Sequence, residues 1–299
     1  MSAAAIPADA PAFHPLPRWT AVAWQELRTA GAAVRREMVV AALILLALSL
    51  PVLARHFRTP GHATDMQFAE MMLLPVVFGL FGAVAVWKGE EPARREYFWS
   101  QPVDRARHSL MKVFGGWAWV MVAVAGFMLW AAVLARLTGG ELSLGDTRIP
   151  LRPYSEDAPL TAADYLVHAW PVPGWMWLVP FAAATAMYLL GSIVVLSTNH
   201  PWRWFAGLVV GGTLLGVLGE AGVGFGEWAV HTLVEGRYGL ETLVTGSDSE
   251  VVAVAAPGGR QVQALAYVPK PGDWLVAVAL WTGPALAGVL AAAHRYSEG

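Results

Sequence analysis

"VFGGWAWVMVAVAGFMLWAAVLA", Val113 to Ala135, contains no Asp, Glu, Lys, Arg or His. About 20 consecutive apolar residues cross the hydrocarbon core of a bilayer as a helix. A surface helix of a soluble domain keeps one polar face, and this stretch has none. It therefore reads as a membrane-spanning helix. Five further stretches read the same way: Met38–Ala54, Met71–Trp87, Gly174–Ser197, Trp204–Gly219 and Trp274–Ala293.

Composition supports that reading. The chain of 299 residues is 56% hydrophobic and 14% charged, against about 25% charged in an ordinary soluble domain. Its net charge of −2 supplies no basic field for nucleic acid. The absence of cysteine excludes disulfides, thiolate metal sites and cysteine nucleophiles. The first apolar run begins only near Met38, with no small-residue cleavage pattern after it, and reads as a retained anchor.

The expected fold is an all-α polytopic membrane protein with six transmembrane helices. Residues 1–37 form a tail and an amphipathic interfacial helix, with Trp19, Ala23, Leu27, Ala30 and Val34 on its apolar face. Residues 38–299 form the transmembrane domain, with long loops at 138–173 and 220–272. The second loop opens with one or two short helices. It then carries "SEVVAVAAPGGRQVQALAYV", Ser249 to Val268, two alternating runs around Pro-Gly-Gly that read as a small hairpin.

Basic residues set the expected orientation. Twelve of the 20 lie in the N-terminal tail, in the second-to-third connector, or as Arg203 and Arg295. The positive-inside rule makes that side cytoplasmic, with both termini inside and the chain in the cytoplasmic membrane. Trp87, Trp117, Trp119, Trp202 and Trp204 would then anchor at the inner boundary. Trp170, Trp175, Trp177, Trp228 and Trp274 would anchor at the outer one.

The last four spans carry no Asp, Glu, Lys, Arg or His in their interiors. A mid-bilayer charge costs at least about 2.5–3.5 kcal/mol and is kept for proton relay or ion coupling. Its absence argues against an ion-coupled carrier and an intramembrane metalloprotease. Glu70 and Glu220 fall at outer span ends, within reach of water. Gly207/Gly211 and Gly212/Gly216, at four-residue spacing, permit close helix packing, either within one bundle or between two chains.

The charge concentrates in one connector, "GEEPARREYFWSQPVDRARHSLMKV", Gly89 to Val113. Glu90 and Glu91 stand three to five positions before Arg94 and Arg95, so acid and base can pair on a helical surface. Tyr97, Phe98 and Trp99 follow, and Pro102 marks a turn. Glu90, Glu91 and Arg95 also spell EExxxR, a motif of membrane proteases acting on prenylated proteins. No Phe here has His four residues later, and His231 is followed at four by Glu235. A diglutamate without its histidines lacks the means to activate water.

In order and position, the connector resembles the signature between the second and third spans of ABC transporter type 2 permeases. The matching positions are Glu90, Arg94 and Arg95, then Phe98 and Trp99, then Ser100, Pro102 and Val103, then Asp104 and Arg105, then Lys112. The resemblance covers Arg18 to about Gly116. The remaining spans fit in number, and the 220–272 loop is longer than the family's usual outer segment. The resemblance implies a permease whose connector is a coupling helix docked on a separate ABC ATPase subunit, through Glu90, Glu91, Arg94, Arg95, Phe98, Trp99, Pro102, Asp104 and Arg105. It implies a second permease chain, export as the direction, and ATP and Mg on the partner subunit. This chain has no Walker A sequence, because Lys88, Lys112 and Lys270 precede Gly, Val and Pro. The competing reading is a membrane sensor or assembly factor that transports nothing.

Overall fold

A computed structural model of the chain describes residues 19–58, 66–88, 105–151, 165–198, 200–255 and 261–298. Helix α1 spans Trp19–Arg58, strand β1 Met66–Gln67, helix α2 Phe68–Met71 and helix α3 Leu73–Trp87. Helix α4 covers Arg105–Leu137, followed by strands β2 (Leu142–Pro150) and β3 (Tyr165–Pro171). A 3-10 turn at Gly174–Leu178 leads into α5 (Val179–Ser197), then α6 (Pro201–Glu220), α7 (Gly224–Ala229), a π-helical turn at Val230–Val234 and α8 (Leu240–Thr245). Strands β4 (Ser247–Ala255) and β5 (Gln261–Pro269) precede α9 (Pro271–Glu298). Six helical stretches among the described residues are long and apolar enough to cross a membrane, as the sequence leads one to expect.

The expected amphipathic segment and first span form one unbroken helix of 40 residues, about 60 Å at 1.5 Å per residue. Ala30 and Val34 are buried on its inward face. Pro51 lies inside the helix and supplies no N–H to the ladder. Just before it, the Ser49 hydroxyl donates to the Leu45 carbonyl at 2.7 Å and accepts the Trp130 indole N–H at 2.8 Å. Polar atoms in hydrocarbon need such partners.

Helix α5 is the centre of the bundle, with Ala183, Ala184, Ala186 and Tyr188 fully buried. Its small residues let α3 approach backbone to backbone: a Cβ on Gly79 would collide with the Ala184 carbonyl. Gly191 in turn faces the Leu80 carbonyl, 2.6 Å from where its Cβ would stand. Helix packing in lipid depends on such contacts, because apolar side chains gain no hydrophobic energy by leaving lipid tails. The buried Tyr188 hydroxyl donates to the Val113 carbonyl of α4 at 3.0 Å. On the other flank, α9 buries Ala285, Val289 and Ala293.

Two small sheets gather beyond the far ends of the bundle. The order β1-β2-β3 has β1 parallel to β2 and β2 antiparallel to β3, with register running from Asp146↔Ala169 to Pro150↔Tyr165. A bulge lies between Ser143 and Asp146. The expected hairpin is present as β4 and β5, registered Ser247↔Pro269 through Ala255↔Gln261. The Thr147 hydroxyl donates to the Leu265 carbonyl and accepts the Trp170 indole N–H, while the Tyr267 ring covers Gly145, so the sheets are joined.

The fold is mostly helical as expected, but this first sheet departs from the all-α expectation, which leaves 138–173 as a long loop. Helix α4 ends at Leu137, and the chain turns at Gly139, whose φ of +70° favours a glycine. "LSLGDTRIP" then hides Leu144, Thr147 and Ile149 and pairs with "YLVHAWP". The buried positions include Ser143 and Thr147, so the strand's inward face is not marked by apolar residues.

Two of the tryptophans expected near a boundary also bond across helices. Trp117 donates to the Thr185 hydroxyl of α5 at 3.0 Å, and Trp119 to the Leu27 carbonyl of α1 at 2.8 Å. These indoles join helices. Trp202, Trp204 and Trp228 are largely exposed and fit the anchor role.

Candidate functional site

The connector that carries the sequence signature lies mostly outside the described residues: Glu90, Glu91, Arg94, Arg95, Phe98, Trp99, Pro102 and Asp104 fall at 89–104. Arg105 is the first residue of α4. The site is therefore described through its two roots, the end of α3 and the start of α4.

Both roots are tied to α1. At the end of α3, the Lys88 ammonium lies 3.0 Å from a Glu37 carboxylate oxygen. At the start of α4, His108 Nδ1 lies 3.1 Å from Glu26 Oε1, and the Thr29 hydroxyl donates to the Glu26 carbonyl at 3.0 Å. Glu26 is buried against the start of α4. A Cβ on Gly115 would be 3.0 Å from the Glu26 carbonyl oxygen.

The roots are also tied to each other. The buried Lys112 ammonium sits over the Trp87 ring, 4.6 Å from its centroid. A cation over an indole face is stabilised by the ring quadrupole, more so when desolvated. Val86 of α3 lies so close to Gly116 that a Cβ there would stand 2.7 Å from its methyl. The last turn of α3, the first turns of α4 and the Glu26–Glu37 stretch of α1 thus form one clasp.

A second polar region lies at the sheet side, where a cavity of about 490 Å³ opens between α8, the foot of the hairpin and the start of α9. Lys270 reaches Asp248 at 2.6 Å and Glu250 at 2.7 Å. Those hydrogen bonds push the Lys270 ammonium well above its usual range, and the Lys270 bond holds the Asp248 carboxyl below its own. Arg237 bridges to Asp273 at 2.9 Å. Glu241 titrates higher than an ordinary glutamate, because it is partly desolvated and faces the charges of Glu235 and Asp248. Sequence reading did not single out this cleft, because its residues come from four separate segments.

Comparison with protein-family models, curated proteins and solved structures finds no match to this chain.

Proposed function

We propose that the chain is the membrane-spanning subunit of an ATP-binding cassette transporter, an exporter in the cytoplasmic membrane driven by ATP that a separate subunit hydrolyses. The observation that carries this reading is the order of residues from Glu90 to Lys112, placed between two helices whose adjoining ends are clasped together. Phe98 and Trp99 fill a groove on the ATPase, while Glu90, Glu91, Arg94, Arg95, Asp104 and Arg105 set register and partner choice. Pro102 ends the docked segment. Closure of the ATPase then tilts α3 and α4 as a unit, and α1 follows through Glu26 and Glu37. The basic side, with both termini, faces the ATPase. A second permease chain completes the pathway, and ATP with its Mg stays on the partner subunit.

The sheet-side cleft favours one other reading, a sensor whose Lys270–Asp248 and Arg237–Asp273 bridges respond to a ligand outside the bilayer. One experiment separates the two. The full chain, tagged at its C-terminus, is isolated from native membranes in mild detergent and its co-purifying chains are identified. A stoichiometric P-loop ATPase that is lost in the Arg95→Glu/Phe98→Ala variant supports the transporter. A solitary chain in several detergents, or an ATPase retained by that variant, sinks it.

A further inference from the structure

The first half of α1 sorts its charges by face. Its two acids turn inward, Glu26 to His108 and Glu37 to Lys88. Arg28, Arg35 and Arg36 lie on exposed positions, and no carboxylate of the described residues bridges to them. The Arg28 guanidinium lies over the Trp24 ring, 5.2 Å from its centroid, and Trp24 is 57% exposed. On the same exposed side the helix continues as Val39, Leu43, Leu46 and Leu50, each about half exposed or more. At 100° per residue Trp24, Arg28, Arg35, Val39 and Leu46 share one strip of the surface.

The clasp fixes the depth of this strip. Glu26 is level with Gly115, where α4 becomes apolar, and Glu37 is level with Lys88, where α3 stops being apolar. The stretch between them therefore runs along the edge at which α3 and α4 enter the bilayer. The leucines above it meet lipid tails, and the arginines lie in the headgroup layer of the same leaflet.

We infer that Trp24, Arg28 and Arg35, flanked by Arg36, form a binding strip for anionic phospholipid headgroups. The exposed guanidinium groups of Arg28 and Arg35 complement phosphodiester charge, and Arg36, beside the Glu37 carboxylate, adds to them from the flank. An exposed indole is suited to the headgroup level, where its ring meets acyl chains and its N–H meets water. The inference holds whatever the connector docks on.

The test uses the purified full chain in neutral detergent, with native mass spectrometry counting bound dioleoyl phosphatidylglycerol against dioleoyl phosphatidylcholine. Phosphatidylglycerol is expected to bind the more tightly. Each arginine is expected to contribute roughly fivefold, so the Arg28→Gln/Arg35→Gln/Arg36→Gln variant should lose at least tenfold of that affinity and leave phosphatidylcholine unchanged. Inorganic phosphate added at millimolar concentration should not displace the lipid. An unchanged lipid-free melting temperature shows that the variant is folded, and Trp24→Ala gives a second reading with every charge kept. Equal affinity for the two lipids, an affinity unaltered in the triple variant, or displacement by free phosphate overturns the inference. A loss as large in Arg203→Gln/Arg295→Gln, away from the strip, does so too.

Discussion

Trp119 reaches from α4 to α1 and does two things there: its indole N–H donates to the Leu27 carbonyl at 2.8 Å, and its ring occupies the space a side chain on Gly31 would need. A Cβ on Gly31 would stand 2.7 Å from that ring. The pairing fastens the first half of α1 to the helix that opens at the connector.

Gly31→Val should therefore push Trp119 out of place. Overpacking of this kind costs typically about 1–3 kcal/mol. Trp119→Phe removes the hydrogen bond and keeps much of the ring, at about 1 kcal/mol. Thermal melts in detergent should rank Gly31→Val below Trp119→Phe, and both below the parent chain. Equal melting temperatures for all three would mean that α1 is held elsewhere.

Tyr188 is the corresponding lock between α5 and α4. Its hydroxyl donates to the Val113 carbonyl at 3.0 Å, and Gly116 leaves it room. Tyr188→Phe keeps the ring and loses one hydrogen bond, a change of roughly 1 kcal/mol. Gly116→Val drives a branched side chain into both the Tyr188 hydroxyl and Val86, and should be much the more harmful. Expression yield of folded protein after size exclusion measures the difference. A Gly116→Val chain as abundant and as stable as Tyr188→Phe contradicts the packing described for α4.

The six helices were legible because apolar length is a property of each segment alone: Val113–Ala135 needs no neighbour to be read. The hairpin at Ser247–Pro269 was legible from alternation around a turn. The β1-β2-β3 sheet was not, because what hides Thr147 is a tertiary bond to Leu265, invisible in "LSLGDTRIP" itself. The helix-joining bonds of Trp117 and Trp119 were not legible for the same reason. An indole near a span end looks alike in sequence whether it faces lipid or a Thr185 hydroxyl. The clasp was half legible: the connector's charges stood out, but Glu26 and Glu37 gained meaning only when α1 ran on unbroken beside His108 and Lys88.

The cleft at the hairpin foot carries a signed pH dependence. Glu241 is raised by desolvation and by Glu235 and Asp248, so its charged form is disfavoured in the folded chain. That cost is present at neutral pH and disappears as pH falls below the ordinary glutamate value of 4.5. Glu241→Gln should therefore raise the melting temperature at pH 7 and change little at pH values under 4.5. Asp248, depressed by its bond to Lys270, contributes in the opposite sense. Its stabilisation is complete above the ordinary value of 3.8 and is lost as pH falls through its lower folded value. Lys270→Met should lower the melting temperature at pH 7, and the deficit should shrink in acid once Asp248 is protonated. A Glu241→Gln chain less stable at pH 7 than its parent would reverse the electrostatic account.

Helix α6 stands apart from the bundle along its middle. Phe205, buried at its start, packs on Phe81 at 5.6 Å, and Gly219 and Gly226 bring its far end against α7. Between those points, among the described residues, no atom outside the helix's own nearby backbone lies within 4 Å of where a Cβ on Gly207, Gly211, Gly212 or Gly216 would be. Gly212→Leu consequently costs nothing in contacts inside one chain. The proposed transporter needs a second permease chain, and small residues at four-residue spacing allow helices to approach closely in lipid. If the second chain packs there, Gly212→Leu should leave the melting temperature of the single chain intact while abolishing the dimer in size exclusion with light scattering. Gly79→Leu, set against the Ala184 backbone, should instead destroy the fold. A Gly212→Leu chain that still dimerises and supports ATPase activity would remove α6 from the interface and leave the exposed apolar half of α1 as the surface to cross-link next.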